Sequence, residues 1–237
     1  MINNEVNNSV LYILQVALTS LLPLISIPII TYKFPPSEYG MFALSQVYAS
    51  IAVGIVNWGM LIGYERNYFL HEKSVKNSAA LLYSVTLFIL INITVLDIAV
   101  FYWREYLSNL LFEQSTHGDI LVIVTIGVSL STLANYYLTF LKNKGFAAEF
   151  VKLTLLQSLG NFLLILFFIL YLDASIISLA YALLLSNTLL IIAVAVKQLK
   201  ALPVLFNKNM LVDVLRISLP LTPRILFGAL NTQFDKI

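Results

Sequence analysis

The chain has 237 residues, of which 59% are hydrophobic and 11% charged, and its formal net charge is +2. A soluble domain carries about 25% charged residues, so this chain cannot cover a water-facing surface, and a mean hydropathy of +0.88 points to a polytopic membrane protein. It has no cysteine, which excludes disulfide frameworks, thiolate metal sites and cysteine nucleophiles. Its two histidines, His71 and His117, are too few and too far apart for a metal site, and no cofactor is expected.

An α-helical span needs about 20 mostly apolar residues. The first candidate runs from Val10 to Tyr32 without a charge. No Lys or Arg precedes it and no cleavage site follows, so it is not a signal peptide. Pro23 and Pro28 inside it predict a bent helix facing other helices. Lys33-Phe34-Pro35-Pro36-Ser37-Glu38 breaks the chain, and the second span covers roughly Tyr39 to Tyr64, again without a charge. The third runs from Ala79 to Phe101, the fourth from Ile120 to Leu141 and the fifth from Leu153 to Leu172. Only Asp173-Ala174-Ser175 separates the fifth from the sixth, Ile176 to Val196, which makes those two an antiparallel hairpin. Residues 197–216 then read as a cytoplasmic connector. Its segment Met210-Leu211-Val212-Asp213-Val214-Leu215-Arg216 has the helical spacing of a helix lying at the membrane interface. A seventh stretch, 217–237, begins at Ile217, is interrupted by Arg224 and reaches Asp235-Lys236 as an incomplete span.

Barrel strands alternate apolar and polar residues over about ten positions, whereas these segments are apolar all round. The expected fold is all-α and integral to the membrane: a six-span bundle over 1–196, the connector, and the start of a seventh helix. Lys and Arg in the loops set the orientation. Arg66, Lys73, Lys76, Lys142, Lys144, Lys152, Lys197, Lys200, Lys208 and Arg216 fall on one side, and Lys33 and Arg104 on the other. The amino terminus and the basic loops are therefore expected in the cytoplasm. The same rule accounts for the basic loops without a nucleic-acid partner.

No loop is long enough to form a domain, and there is no Gly-rich phosphate loop, G-x-S-x-G elbow or H-E-x-x-H. Glu105, Glu113 and His117 share the loop 102–119 and could in principle act as acid and base, but they read as a solvated interfacial turn. An enzyme is not expected. Within the spans, Asp97 reads as an interfacial carboxylate near the end of the third. Arg224 either snorkels to the headgroups or lines a cavity. The amides Gln15, Gln46, Asn57, Asn92, Asn135, Gln157, Asn161 and Asn187 recur through the six spans. Singly, each suits hydrogen bonding between helices; together they fit a hydrated central path.

Two stretches carry a family resemblance. Phe34-Pro35-Pro36-Ser37-Glu38-Tyr39-Gly40-Met41-Phe42-Ala43-Leu44, continuing to Asn57-Trp58-Gly59-Met60, resembles the segment that joins the first two spans of bacterial polysaccharide flippases. Leu215-Arg216-Ile217-Ser218-Leu219-Pro220-Leu221-Thr222-Pro223-Arg224, continuing to Asn231-Thr232-Gln233-Phe234-Asp235-Lys236, is similar to the start of the seventh span in O-antigen flippases, the Wzx group of the multidrug/oligosaccharidyl-lipid/polysaccharide exporter superfamily. The sequence departs from that pattern with Asn57 where an acidic residue is common, Arg224 where histidine is usual and Lys236 where arginine is usual.

The resemblance implies a V-shaped transporter of two six-helix bundles in the bacterial cytoplasmic (inner) membrane. Such a transporter moves an undecaprenyl-pyrophosphate-linked oligosaccharide, an O-antigen or other surface repeat unit, to the periplasmic leaflet under an ion gradient. It also implies that cavity cations hold the pyrophosphate, with Arg224 the best match. Together with the amide path, the candidate substrate-binding residues are Arg224, Asn57, Asn135, Asn161, Asp235 and Lys236. The expected partners are the lipid-linked oligosaccharide, membrane lipids, a carboxy-terminal bundle missing from this chain and the glycan polymerase machinery. Because the resemblance covers only the first half of such a transporter, and alternating access needs two bundles, the chain reads as an amino-terminal fragment. Alternative readings are a drug or cation antiporter of the same superfamily, an integral-membrane glycan polymerase or ligase, and a non-transporting membrane subunit.

Overall fold

The computed structural model describes residues 2–172 and 175–234, and among them all regular structure is helical. Helix α1 spans Ile2–Lys33 and keeps both Pro23 and Pro28 inside it. Pro36, free of the need for a backbone donor at a first-turn position, opens α2, Pro36–Val56.

The expected second span is not one helix. The chain turns at Asn57-Trp58-Gly59, and α3, Met60–His71, starts afresh. Trp58 and Gly59 both take positive φ, 50° and 62°. Glycine adopts that conformation without a steric cost, whereas Trp58 is held there with its ring edge-on to Phe88, centroids 6.1 Å apart. The break is invisible to hydropathy because no charged residue marks it.

Helix α4, Val75–Tyr102, is capped by the Ser74 hydroxyl, which accepts from the Asn77 amide at 3.3 Å. The loop expected over 102–119 instead contains α5, Arg104–Phe112, and a 3-10 turn, Ser115–His117. The remaining helices are α6, Gly118–Asn143; α7, Ala147–Tyr171; α8, Ile177–Ala201; and α9, Lys208–Phe234. The amphipathic segment and the seventh stretch form one continuous helix through 216/217. Asn207 caps it: its side-chain oxygen accepts from the amides of Asn209 at 3.0 Å and Met210 at 3.2 Å. Its own amide donates to Ser84 Oγ at 2.7 Å and ties the connector to α4.

Among the described residues, six helical segments are long and apolar enough to cross a membrane: Asn8–Lys33, Pro36–Val56, Val75–Tyr102, Ser115–Asn143, Ala147–Tyr171 and Ile177–Ala201. The protein is a multi-pass membrane protein. Helix α6 sits at its centre, packed on α2, α4, α5, α7 and α8, while α1 lies mainly against α7, and α9 against α3, α2 and α4. Two cores result. One gathers Tyr64, Tyr68, Tyr136, Tyr137 and Phe140 with aliphatic residues of α4, α8 and α9. The other is aliphatic apart from Phe34 and Phe42, and lies where α1, α2, α6, α7 and α8 meet. Helices α3 and α9 cross so closely that a Cβ on Gly63 would lie 2.1 Å from Ser218 Oγ and 2.8 Å from the Val214 carbonyl oxygen.

Candidate functional site

Polar residues on three helices recur at one-turn spacing and so share a face. On α2 these are Gln46 and Ser50, with Asn57 in the turn just past its end; on α6 Ser131, Thr132 and Asn135; on α7 Gln157, Ser158 and Asn161; α8 contributes Asn187. The four faces meet around a cavity of about 350 Å³ lined by Ser50, Val53, Gly54, Asn57, Val128, Ser131, Thr132, Asn135, Gln157, Leu183 and Asn187. A second cavity of about 270 Å³ lies between α1, α2 and α7, with Thr19, Ser26, Tyr39, Phe42, Gln46, Ser158, Asn161 and Phe162 among its lining residues. Gln46 stands one turn from Ser50, and Ser158 adjoins Gln157, so the two cavities follow one another along the same pair of helices. Together they fall within the ~300–1,000 Å³ typical of ligand pockets.

The walls are cross-braced. Gln157 Nε2 donates to Asn187 Oδ1 at 2.6 Å and to Ser131 Oγ at 3.3 Å, linking α7 to α8 and α6. Asn187 is buried. Tyr136 Oη donates to Asn57 Oδ1, and Asn92 Nδ2 to the Val56 carbonyl at 3.2 Å, so α6 and α4 together pin the turn between α2 and α3. These bonds hold three amides of the lining, Asn57, Gln157 and Asn187, while Asn135 stays exposed toward the cavity it lines. Asn161 Oδ1 is shielded and has no hydrogen-bond partner.

Of the residues expected to contact substrate, Asn57 and Asn135 come together in one cavity and Asn161 lines the other. Arg224 does not join them. It is exposed on α9 and lines neither cavity. Asp235 and Lys236 lie outside the described residues. Asp97 is half-buried rather than free in water, and its carboxylate accepts from Ser129 Oγ on α6 at 2.9 Å. Ser50, Ser131, Thr132 and Ser158 were not singled out from the sequence, although their spacing from Asn57, Asn135 and Asn161 carried the signal. Gln15 bonds within its own helix, to Thr19 Oγ1 at 3.5 Å.

Two ion pairs lie toward the ends of the helices. Lys197 on α8 pairs with Glu149 on α7 near the α6–α7 turn, and Arg104 pairs with Asp119 at 3.5 Å by the start of α6. Among the described residues no charged side chain lines either cavity, and no three His, Cys, Asp or Glu cluster as metal ligands would.

The described helices form a membrane bundle with polar-lined cavities, and its fold is that of one half of a two-bundle exporter. Similarity to solved transporters agrees: a crystal structure of MATE in complex with MaD3S matches with a TM-score of 0.68 at 18% identity, covering 94% of this chain and 53% of that one. A transporter of the MOP superfamily from Pyrococcus furiosus, described by the reverse polarity of its binding pocket, gives a TM-score of 0.66 at 18% identity, over 94% and 52% of the two chains. An outward-facing multidrug-resistance MATE transporter of the same superfamily gives 0.65 at 17%. The chain thus spans about half the length of the solved transporters it matches. No curated protein matches it. The polysaccharide biosynthesis protein family matches residues 34–237, and the chain belongs to that family.

Proposed function

We propose that the chain is the cavity-forming half of a flippase that moves an undecaprenyl-pyrophosphate-linked oligosaccharide from the cytoplasmic to the periplasmic leaflet of the bacterial inner membrane. The family match over residues 34–237 carries this reading, and a transporter-like bundle with interior polar cavities is the architecture it requires. A second bundle would complete the alternating-access pair. On this reading the amino terminus and the loops holding Lys73 and Lys144 face the cytoplasm, and Arg224 contacts the pyrophosphate, a geometry suited to a bidentate guanidinium.

The similarity to MATE transporters supports a second reading, export of drugs or cations. Deleting the gene in its host separates the two. Loss of surface polysaccharide with lipid-linked repeat units accumulating supports the flippase, whereas intact polysaccharide with new sensitivity to cationic drugs supports the antiporter. In complemented cells, Arg224→Ala should abolish glycan export without loss of membrane insertion, and full export would remove Arg224 from the mechanism. Cysteines at Ser74 and Lys144, in a chain with none of its own, should be labelled only from the cytoplasmic side; labelling from outside would overturn the orientation.

A further inference from the structure

We infer that the cavity between α2, α6, α7 and α8 is a subsite for uncharged sugar hydroxyls, and that the carrier's pyrophosphate does not enter it. This inference rests on the flippase reading and deepens it. Seven polar side chains line the cavity: Ser50, Asn57, Ser131, Thr132, Asn135, Gln157 and Asn187. All are amides or hydroxyls. An amide offers two donors and an acceptor and a hydroxyl offers both roles, which is the hydrogen-bonding complement of a sugar ring, where each hydroxyl donates and accepts.

The same lining is wrong for either charged ligand. A pyrophosphate taken out of water needs cations to offset the loss of hydration, and no described Lys, Arg or His lines the cavity. A cationic drug needs a carboxylate or an aromatic face, and the lining holds neither. Asp97, the acidic side chain within α4, is bonded to Ser129 and is not part of the lining. The neighbouring cavity continues the uncharged polar lining with Gln46, Ser158 and Asn161. The bracing of Gln157 by Ser131 and Asn187 keeps the amides oriented before a ligand arrives, which lowers the ordering cost of binding. The two ends of the substrate are therefore separated in the protein: sugars against the α2–α6–α7–α8 wall, and the anion at a cationic site elsewhere, for which Arg224 on α9 is the candidate.

The test uses Asn135→Cys, and Thr132→Cys in parallel in case one variant fails to fold, each the single cysteine of this chain, in membranes of its host and with any cysteine elsewhere in the full-length protein replaced by serine. The rate of labelling by an uncharged maleimide is measured alone and with three probes: the oligosaccharide released by mild acid from the host's lipid-linked pool, fractionated by anion exchange into neutral and acidic parts; inorganic pyrophosphate; and tetraphenylphosphonium. The neutral oligosaccharide at about four times its dissociation constant should slow labelling about fivefold by occupancy, while pyrophosphate and tetraphenylphosphonium leave it unchanged. Protection by pyrophosphate, by the cation or by the acidic oligosaccharide alone overturns the inference, and so does protection by none of the probes. Failure of the flippase reading is a different result, intact surface polysaccharide after gene deletion.

Discussion

Helices α1 and α6 are nearly equal as membrane spans and opposite in their surroundings. Their most apolar windows have mean hydropathies of 2.1 and 1.7, yet 11% of the first window is buried in the protein and 61% of the second. Lipid tails are as apolar as leucine, so hydrophobicity gives no reason for one helix to seek another. What differs is side-chain size and polarity. Helix α6 presents Thr125, Gly127, Ser129, Ser131 and Ala134, small enough for its neighbours to approach, whereas α1 turns Ile13, Leu14, Val16, Leu21 and Leu24 outward. Within the described bundle the more hydrophobic helix of the two is the less buried, and the helix with small and hydroxylated residues organises the packing and carries part of the cavity wall.

The contrast can be broken by substitution, and the largest effect belongs at the centre. Ala134 is fully buried in α6, so Ala134→Leu should destabilise the protein by about 3 kcal/mol through overpacking, read as a fall in thermal midpoint in detergent. A midpoint unchanged within error would mean that α6 has room its packing denies. Next comes the polar bracing. Asn187→Leu removes the acceptor for Gln157 Nε2 and should cost about 0.6–1.7 kcal/mol, the range of interhelical hydrogen bonds in membrane proteins; a gain in stability would show the amide to be kept for the ligand alone. Lys197→Ala should cost under about 1 kcal/mol, because the Glu149 pair is partly exposed and screened by salt, and the loss should shrink further at high ionic strength. Smallest of all, Leu14→Ala on the outer face of α1 should stay within about 0.5 kcal/mol of wild type. If it matched Ala134→Leu, α1 would have to be covered by protein rather than lipid.

The spans were legible because each requires only a run of apolar residues, and six such runs stand in the sequence. The broken second span was not, since Asn57-Trp58-Gly59 interrupts the backbone by its dihedral angles and leaves the hydropathy untouched. Continuity of α9 escaped for the converse reason. The change from an amphipathic to an apolar pattern near Ile217 looks like a boundary, yet the Asn207 cap starts a helix that nothing before Phe234 ends. The site was half legible. The amides announced a polar interior, and Asn57, Asn135 and Asn161 do line cavities; Arg224, which the sequence left open between snorkelling to the headgroups and lining a cavity, is exposed on α9 and lines neither of the two.

The sequence by itself determined the all-α membrane class and the six spans, because these follow from local composition and length. It also carried the family, through motifs contiguous in the chain. Only the tertiary structure decided which polar residues face one another, since Ser50, Asn135, Gln157 and Asn187 sit on four helices whose rotations are set by packing around α6. A helix pattern tells which residues share a face. It does not tell which faces meet, and which of the described side chains line the cavity is a property of the meeting.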